Sequence, residues 1–455
     1  MSNRETLTRR KFFDLAASTA GVVATSRLGA AQGPRGANDK VRAGLIGSGS
    51  RGRSVAAQFI RNYPDIQYVA NCDAYATRLE QGTEQLSGLQ KDVKIEGYED
   101  YRRVLDRKDV DVVHIASPDH WHCQMLIDAM AAGKDVYLEK PLSNTVERAV
   151  EALSAYKSSN RVVQFGTQQR SGSHFQEAAK IVQDGQLGKI THAVIQFPGS
   201  GYGTAPEPEA PVPQGLNWEL FQGPAPRRPF KPGRLRWRGW WDYGGGLITD
   251  WGVHLTDVAL WYLDSQRVGP LLTSGTAQYV NFVNPERDQS PDAFSVSWQY
   301  PSFVMTFTNA VVQDWEFGRQ GNYFFGPGGS LLIHRAGYEV RPSGGGQGGG
   351  RGRGGAAGAN APAGQGATAV QNAPAPPPAI QPRRVPWRES DGSDSNSATV
   401  AHGRNFLDCV KSRNKPVSEL EIGFYASLPC LLAVKAIREG RSFRWDDAAK
   451  KAGAV

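Results

Sequence analysis

From Val41 onward, short apolar runs alternate with segments whose apolar residues recur every three to four positions. The run Val41–Ile46 is followed by a helical pattern that includes Val55 and Phe59. Runs of this length suit buried strands, and the 3.6-residue period between them suits helices packed on a sheet. Similar apolar segments follow at residues 66–74, 112–116, 135–142 and 161–170. The alternation predicts an α/β domain with a doubly wound parallel sheet, a Rossmann-like domain that we place at residues 40–166.

The pattern changes after about Gly188, where aromatic-rich runs alternate apolar and polar residues with few long helical segments between them. This period of two predicts a large, open and mostly antiparallel sheet in a C-terminal α/β domain at residues 167–455. Ser343–Gln381 has almost no large apolar side chain, so we expect a disordered insertion at residues 343–383. Two amphipathic segments after the insertion are expected to be helices that close the sheet domain.

Length and composition narrow the class of protein. A chain of 455 residues with 40% hydrophobic residues is long enough for two cores. We find no apolar run long enough to span a bilayer. The net charge of +8 is scattered and accompanies no nucleic-acid-reading module, so we expect no nucleic-acid partner. The four cysteines form no CxxC pair, and we expect buried free thiols and no metal site.

The N-terminal segment resembles an export signal. Arg9 and Arg10 precede two phenylalanines, a weakly apolar alanine-rich stretch and the small-residue sequence that ends at Gln32. This is typical of a twin-arginine signal peptide at residues 1–32, and the alternative is an amphipathic N-terminal helix. We therefore expect the Tat translocase as a partner, a periplasmic or otherwise exported location, and a cofactor loaded in the cytoplasm before export.

A glycine-rich loop joins the first strand to the first helix. The loop consists of Gly47, Ser48, Gly49, Ser50, Arg51 and Gly52. In this context GxGxxG is typical of a dinucleotide-binding turn, in which the helix N-terminus faces the pyrophosphate. The next strand ends at Asp73, where a carboxylate would hold the ribose 2′-hydroxyl of NAD. A solvated loop aspartate is the alternative, and Arg78 leaves NADP open.

Charged residues also follow two later strands. Ser117-Pro118 ends the 112–116 strand, and Asp119 is the expected N-cap of the next helix. Glu139-Lys140-Pro141 ends the following strand. A lysine at the mouth of such a crevice can hydrogen-bond a substrate hydroxyl and lower its pKa, while Glu139 orients Lys140 or reaches the ribose. A solvated Glu–Lys loop pair is the alternative.

A second candidate cluster lies in the segment YGGGLITDWGVHLTD at 243–257. Asp250 and His254 are four residues apart, so a helix would place them on one face. An aspartate in such an apolar helix needs a partner, and His254 is a natural one; a satisfied core pair is the alternative. Six of the eleven tryptophans lie between residues 218 and 261, and we favour Trp240 or Trp241 as a wall of a carbohydrate site.

The motifs GLIGSGSRG, SPDHWH, LEKPL, GTQQR and GGGLITDWGVHLTD together resemble the Gfo/Idh/MocA (glucose–fructose oxidoreductase/inositol dehydrogenase) family. The resemblance implies NAD as cofactor, with NADP possible, and a sugar, glycoside or cyclitol as substrate. It implies Lys140, Asp250 and His254 as catalytic residues. The cofactor-binding set adds Asp73, Ser117, Pro118, His122, Glu139, Lys140 and Gln168 to the glycine-rich loop. The substrate-binding set is Lys140, Gln169, Arg170, Trp240, Trp241, Tyr243, Asp250 and His254.

Three functions fit these residues. The first is an exported NAD(P)-dependent carbohydrate oxidoreductase with a tightly held cofactor, in which His254 accepts the hydroxyl proton and Asp250 orients the imidazole. The second is a glycoside hydrolase or lyase that uses NAD for transient oxidation and elimination. The third is a sugar-sensing protein without catalysis, which an intact Lys140, Asp250 and His254 disfavour. The open sheet further suggests a homo-oligomer, either a dimer or a tetramer.

Overall fold

The computed structural model describes residues 40–199, 202–203, 205–280, 288–310, 320–343, 381–386 and 395–455. The predicted signal segment at 1–32 and most of the predicted insertion at 343–383 lie outside the described residues. Two sheets organise the described chain, one of six strands and one of ten. The predicted fold class, a parallel Rossmann sheet followed by a large, mostly antiparallel sheet, is confirmed.

The N-terminal sheet is parallel throughout, and its strand order is β3-β2-β1-β4-β5-β6. Its strands are β1 (Val41–Ile46), β2 (Ile66–Cys72), β3 (Glu96–Tyr98), β4 (Val112–Ile115), β5 (Asp135–Leu138) and β6 (Val163–Phe165). Its helices are α1 (Ser50–Asn62), α2 (Ala76–Leu89), α3 (Tyr101–Leu105), α4 (Asp119–Ala131) and α5 (Val146–Lys157). The central strands are buried on both faces, which explains why they are apolar at nearly every position.

The C-terminal sheet has the strand order β14-β13-β12-β11-β7-β10-β9-β8-β15-β16. Its strands are β7 (His192–Gln196), β8 (Leu272–Gln278), β9 (Ala293–Gln299), β10 (Val304–Thr308), β11 (Gly321–Gly326), β12 (Gly329–His334), β13 (Gly337–Pro342), β14 (Arg383–Pro386), β15 (Phe443–Asp446) and β16 (Lys451–Ala454). Only the β7–β10 pair is parallel among these described strands. Arg383 pairs with Val340, so the last residue of the predicted insertion belongs to the sheet.

Six α-helices follow the N-terminal domain along the described chain. They are α6 (Ser173–Gln183), α7 (Trp218–Gln222), α8 (Gly246–Asp250), α9 (Gly252–Tyr262), α10 (Ser395–Ser412) and α11 (Leu420–Glu439). Helix α11 is long and apolar enough to cross a membrane by length and composition, contrary to what we expected from the sequence. However, 83% of its most apolar window is buried inside the structure, where α11 packs on α9 and β8.

Helix α10 corrects one prediction about the two C-terminal helices. It does not close the ten-stranded sheet but packs against α1 of the N-terminal domain, where Phe406 joins a buried cluster with Val55 and Phe59. Ion pairs reinforce the contact, because Arg404 and Lys411 both bind Asp65. The last part of the chain therefore returns to the first domain.

The parallel sheet brings three strand ends to one edge. Ile46 of β1 lies beside Ile115 of β4, which in turn lies beside Leu138 of β5. The glycine-rich loop, Ser117 and Lys140 follow these strands directly, so all three reach the same edge. Ligands bind in open α/β sheets at the carboxyl ends of the strands.

Candidate active site

The glycine-rich loop has the geometry that a dinucleotide requires. Gly47 has a φ of +96°, and a Cβ there would lie 2.6 Å from the backbone of Ala116. A Cβ on Gly52 would lie 2.1 Å from the carbonyl oxygen of Gly47, so only glycine lets α1 approach β1. Gly49 instead faces open space, where a Cβ would have no neighbouring atom within 4 Å. A phosphate can therefore approach the backbone at Gly49, at the N-terminus of α1.

Asp73 supports this loop from the end of β2. Its carboxylate accepts hydrogen bonds from the backbone N–H groups of Ser48 and Tyr75, each at 2.9 Å. Burial raises the pKa of Asp73, although these hydrogen bonds and Arg78 act in the opposite direction. Asp73, Arg78, Ser117 and other residues line a cavity of about 90 Å³ beside the loop. This arrangement fits the adenosine half of NAD, and it keeps Arg78 close enough for the NADP alternative.

A second cavity, of about 210 Å³, contains the predicted catalytic residues. It shares Ala116, Ser117 and Trp237 with the first cavity, so the two lie next to each other along one crevice. The sequence-predicted residues in its wall are Arg51, Ser117, His122, Glu139, Lys140, Gln168, Asp250 and His254. The structure therefore brings together residues from the glycine-rich loop, two strand ends and the α8–α9 segment.

Lys140 and Asp250 form the charged centre of this cavity. The Lys140 ammonium donates to the backbone oxygen of Asp250 at 2.7 Å and also to its carboxylate. Arg238 Nε donates to the same carboxylate at 3.2 Å, and the Tyr202 hydroxyl donates to its other oxygen at 2.5 Å. Burial alone would raise the pKa of Asp250, but Lys140, Arg238 and these hydrogen bonds outweigh it and lower the pKa. Asp250 is therefore ionised and balances two cations.

His254 is placed differently from the prediction. Asp250 is the last residue of α8 and His254 the third residue of α9, with Trp251 between the two helices. Among the described residues, His254 Nδ1 is buried without a partner, and Asp250 does not orient the imidazole. Burial, with Lys140 and Arg335 acting in the same direction, lowers the pKa of His254 well below its usual value. The imidazole is neutral near pH 7 and borders the cavity, so it can accept a proton.

Glu139 serves the glycine-rich loop rather than its neighbour in sequence. Its carboxylate is buried and accepts from Arg51 Nε at 2.9 Å, which corrects the idea that Glu139 orients Lys140. Arg51 Nη2 has no partner among the described residues. The side-chain oxygen of Gln168 is likewise buried without a partner in the described chain. Unpaired buried polar atoms facing one cavity are expected where a bound molecule completes the hydrogen bonding.

His122 lines the cavity but has both ring nitrogens engaged. Nδ1 lies 2.6 Å from the carbonyl oxygen of Pro141 and Nε2 lies 2.8 Å from that of Ser117. Because a neutral imidazole carries one N–H, His122 can donate to only one of these carbonyl oxygens, and both of its nitrogens face the backbone of the strand-end turns. Asp119 is also not the N-cap that the sequence predicted, because α4 begins at Asp119 and Pro118 precedes it. The Asp119 carboxylate is buried, and burial raises its pKa.

The five further residues predicted to bind substrate lie outside the cavity wall. Arg170 donates to both carboxylate oxygens of buried Asp257 at 2.9 Å and to Gln266, so it holds α9 in place. Trp240 donates to the carbonyl oxygen of Gly233 and packs under Arg234. The remaining predicted substrate residues are also buried in packing positions, namely Gln169, Trp241 and Tyr243.

Five residues of the wall were not predicted as site residues: Ala116, Trp237, Arg238, Trp251 and Arg335. Trp237 and Arg238 lie in the arginine- and tryptophan-rich stretch before the glycine run. The tryptophans of this stretch indicated a site wall, but we favoured Trp240 and Trp241, whereas Trp237 lines the cavity. Trp251 lies between Asp250 and His254, so it could have been named from that spacing. Arg335 lies in the turn between β12 and β13, and nothing in its local sequence marks it.

Comparison with known proteins gives relatives of several activities. The chain is 28% identical over 179 residues to inositol 2-dehydrogenase of Salmonella typhimurium, covering 39% of this chain and 50% of that protein. It is 29% identical over 161 residues to an alpha-N-acetylgalactosaminidase of Shewanella oneidensis, covering 34% and 35%. The chain thus matches half the length of the first relative and about a third of the second.

Among solved structures, levoglucosan dehydrogenase in complex with NADH and levoglucosan superposes with a TM-score of 0.59 at 16% identity, covering 92% of this chain and 100% of that one. This likeness shows a shared fold. The profile described as "Oxidoreductase family, NAD-binding Rossmann fold" matches residues 41–167, and that described as "Oxidoreductase family, C-terminal alpha/beta domain" matches residues 171–312. The predicted cofactor, NAD, is thereby confirmed, and the chain belongs to the Gfo/Idh/MocA oxidoreductase family.

Proposed function

We propose that this protein is an NAD-dependent dehydrogenase that oxidises a hydroxyl group of a sugar, glycoside or cyclitol. The observation that carries the proposal is the placement of Lys140 and His254 in one cavity that adjoins the dinucleotide-binding loop. The inositol 2-dehydrogenase and levoglucosan dehydrogenase relatives support a carbohydrate or cyclitol as the substrate class.

Lys140, His254 and Asp250 have different roles toward one substrate hydroxyl group. Lys140 has three N–H donors and uses two of them on Asp250, so one remains for a substrate hydroxyl. His254 is neutral and accepts the proton of that hydroxyl. Asp250 holds Lys140 in position and balances its charge. When bound, the nicotinamide ring supplies the hydride chemistry by accepting hydride from the carbinol carbon.

The test supplies the protein with NAD and a panel of sugars and cyclitols. Turnover is measured from the absorbance of reduced nicotinamide. We expect reduction that Lys140→Met and His254→Asn each lower by at least about 100-fold, which is within the range of general acid–base contributions. NAD binding, measured separately by calorimetry, should persist in both variants. Full activity in both would contradict the assignment.

The second candidate is a glycosidase that uses NAD transiently. The similarity to a relative named alpha-N-acetylgalactosaminidase favours this candidate. Oxidation of a ring hydroxyl acidifies the neighbouring C–H, which allows elimination of a glycosidic group, and the same Lys140 and His254 could serve. Release of free sugar from a glycoside without lasting reduction of NAD would favour this candidate over the dehydrogenase.

We also propose that the protein is exported by the twin-arginine route with its cofactor tightly held, and that it forms a homo-oligomer. The arginine pair at Arg9 and Arg10 supports export, and the exposed Phe325 on the large sheet fits an assembly surface. Replacing both arginines by lysine should retain the protein in the cytoplasm. Stoichiometric nucleotide released on denaturing untreated protein, and a light-scattering mass above one chain, test the other two points.

A further inference from the structure

Arg335 is a partly buried cation that forms no ion pair with the described residues. It lies in the turn between β12 and β13, and its guanidinium lies 4.4 Å from the ring centre of Trp251. No carboxylate lies within ion-pair distance of Arg335 in the part of the chain that the structure describes. Burial, with Arg51 acting in the same direction and Asp250 opposing them, lowers the pKa of Arg335 to about 10. Charges removed from water are normally paired, because desolvation of an isolated charge is costly.

The other charges of the cavity are already matched to one another. Arg51 pairs with Glu139, while Lys140 and Arg238 share the single carboxylate of Asp250. Four cations and two carboxylates therefore line this cavity. Arg335 is the cation that pairs with neither carboxylate. The excess of positive charge favours a bound group that is negative.

The pyrophosphate of the dinucleotide is not the anion that would pair with Arg335. Its place is at Gly49 and the N-terminus of α1, beside the first cavity, and Arg335 lines only the second. Arg335 shares the second cavity with Lys140 and His254, and it acts with Lys140 in lowering the pKa of the His254 imidazole. An anion on the substrate itself would therefore meet Arg335.

We propose that the preferred substrate is a sugar acid, whose carboxylate pairs with Arg335 while one of its hydroxyl groups meets Lys140 and His254. The proposal rests on the proposed dehydrogenase function and names its substrate class. A planar guanidinium suits a carboxylate because two parallel N–H donors can meet its two oxygens. The Trp251 ring packs against the guanidinium, at 4.4 Å from its ring centre, within the cavity wall. A neutral sugar would leave Arg335 unpaired.

The experiment compares uronic and aldonic acids with their neutral hexose counterparts, using protein supplied with NAD. We expect the acids to have a kcat/KM at least about 10-fold higher, since a charged hydrogen bond contributes about 10- to 100-fold. Arg335→Gln should remove this preference, and Arg335→Lys should restore part of it. Arg61→Gln, at an exposed arginine on α1, is the matched control and should leave the preference unchanged.

Binding gives a second measurement that does not depend on turnover. Calorimetric titration of each acid and each hexose into His254→Asn with NAD should show tighter binding of the acid, lost in His254→Asn/Arg335→Gln. If acids and hexoses bind and react equally well, or if the preference for acids survives Arg335→Gln, the sugar-acid inference is wrong. The proposed dehydrogenase function would not be affected by either result. Arg335-dependent binding of acids without any reduction of NAD would support the inference and overturn the dehydrogenase.

Discussion

Replacing Asp250 by asparagine tests whether one carboxylate balances the two cations beside it. Arg238 Nε lies 3.2 Å from this carboxylate, and the Lys140 ammonium donates to the same oxygen. At an effective dielectric constant of about 20, unit charges about 3–4 Å apart attract by about 4–5 kcal/mol. The Arg238 side chain is 40% exposed, so water screens part of its attraction to the Asp250 carboxylate. Since breaking a buried pair costs about 3–5 kcal/mol, we expect Asp250→Asn to lower the free energy of unfolding by about 3 kcal/mol.

Urea unfolding at pH 7 of the wild type, Asp250→Asn, Lys140→Met and the double variant measures this effect. Removing the Lys140 charge should make Asp250→Asn less costly, with a coupling of about 1–2 kcal/mol between the two sites. Asp408→Asn is the matched control, because Asp408 is 62% exposed and pairs with Arg404 on the surface of α10. We expect a loss below about 0.5 kcal/mol for this control.

The dependence on pH provides a second check of the same reasoning. The folded pKa of Asp250 is lowered below its ordinary value of 3.8, so its stabilisation is fully present above that value and is lost as the pH falls below it. The difference between wild type and Asp250→Asn should therefore shrink only in strong acid. A loss in Asp250→Asn no larger than in Asp408→Asn, or an equal loss with and without Lys140, would refute the charge-balance argument.

Three further predictions concern the dinucleotide site and the buried histidines. Gly52→Ala should destabilise the fold and abolish NAD binding, because its Cβ would lie 2.1 Å from a backbone oxygen, whereas Gly49→Ala should fold normally and only weaken NAD binding in a calorimetric titration. Asp73→Ser should weaken NADH binding by about 10-fold and raise the relative affinity for NADPH, as measured by fluorescence titration. Burial lowers the pKa of His120 and of His122 to about 4, so each loses stabilisation as the pH falls from about 6.5 towards 4, by about 1.4 kcal/mol at pH 5.5 in urea unfolding.

The fold and the centre of the site could be predicted because local patterns encode them. Apolar runs alternating with helical periods gave the parallel sheet, and the glycine spacing located the loop whose backbone geometry the structure shows at Gly47 and Gly52. Lys140 could be found because a charged residue directly after a buried strand is unusual. These signals all lie within about twenty residues of the feature that they mark.

The remaining parts of the site depend on contacts between distant residues, which one sequence does not reveal. Arg170 was assigned to the substrate, yet its partner Asp257 lies 87 residues away and buries it in the core. Trp240 and Trp251 are equally apolar in sequence, and only the fold decides which one faces the cavity. The amphipathic pattern of α10 predicted a buried face, but it carries no information about which domain covers that face.

Asp250 and His254 have different partners, although only three residues separate them. A carboxylate paired with the imidazole would favour its protonated form. Instead, the Asp250 carboxylate binds Lys140 and Arg238, and burial, reinforced by Lys140 and Arg335 and opposed by Asp250, keeps His254 neutral. Trp251, between the two residues, packs against Arg335. This short segment thus brings a neutral base, an anchored lysine donor and an arginine without an ion-pair partner among the described residues into the wall of a single cavity.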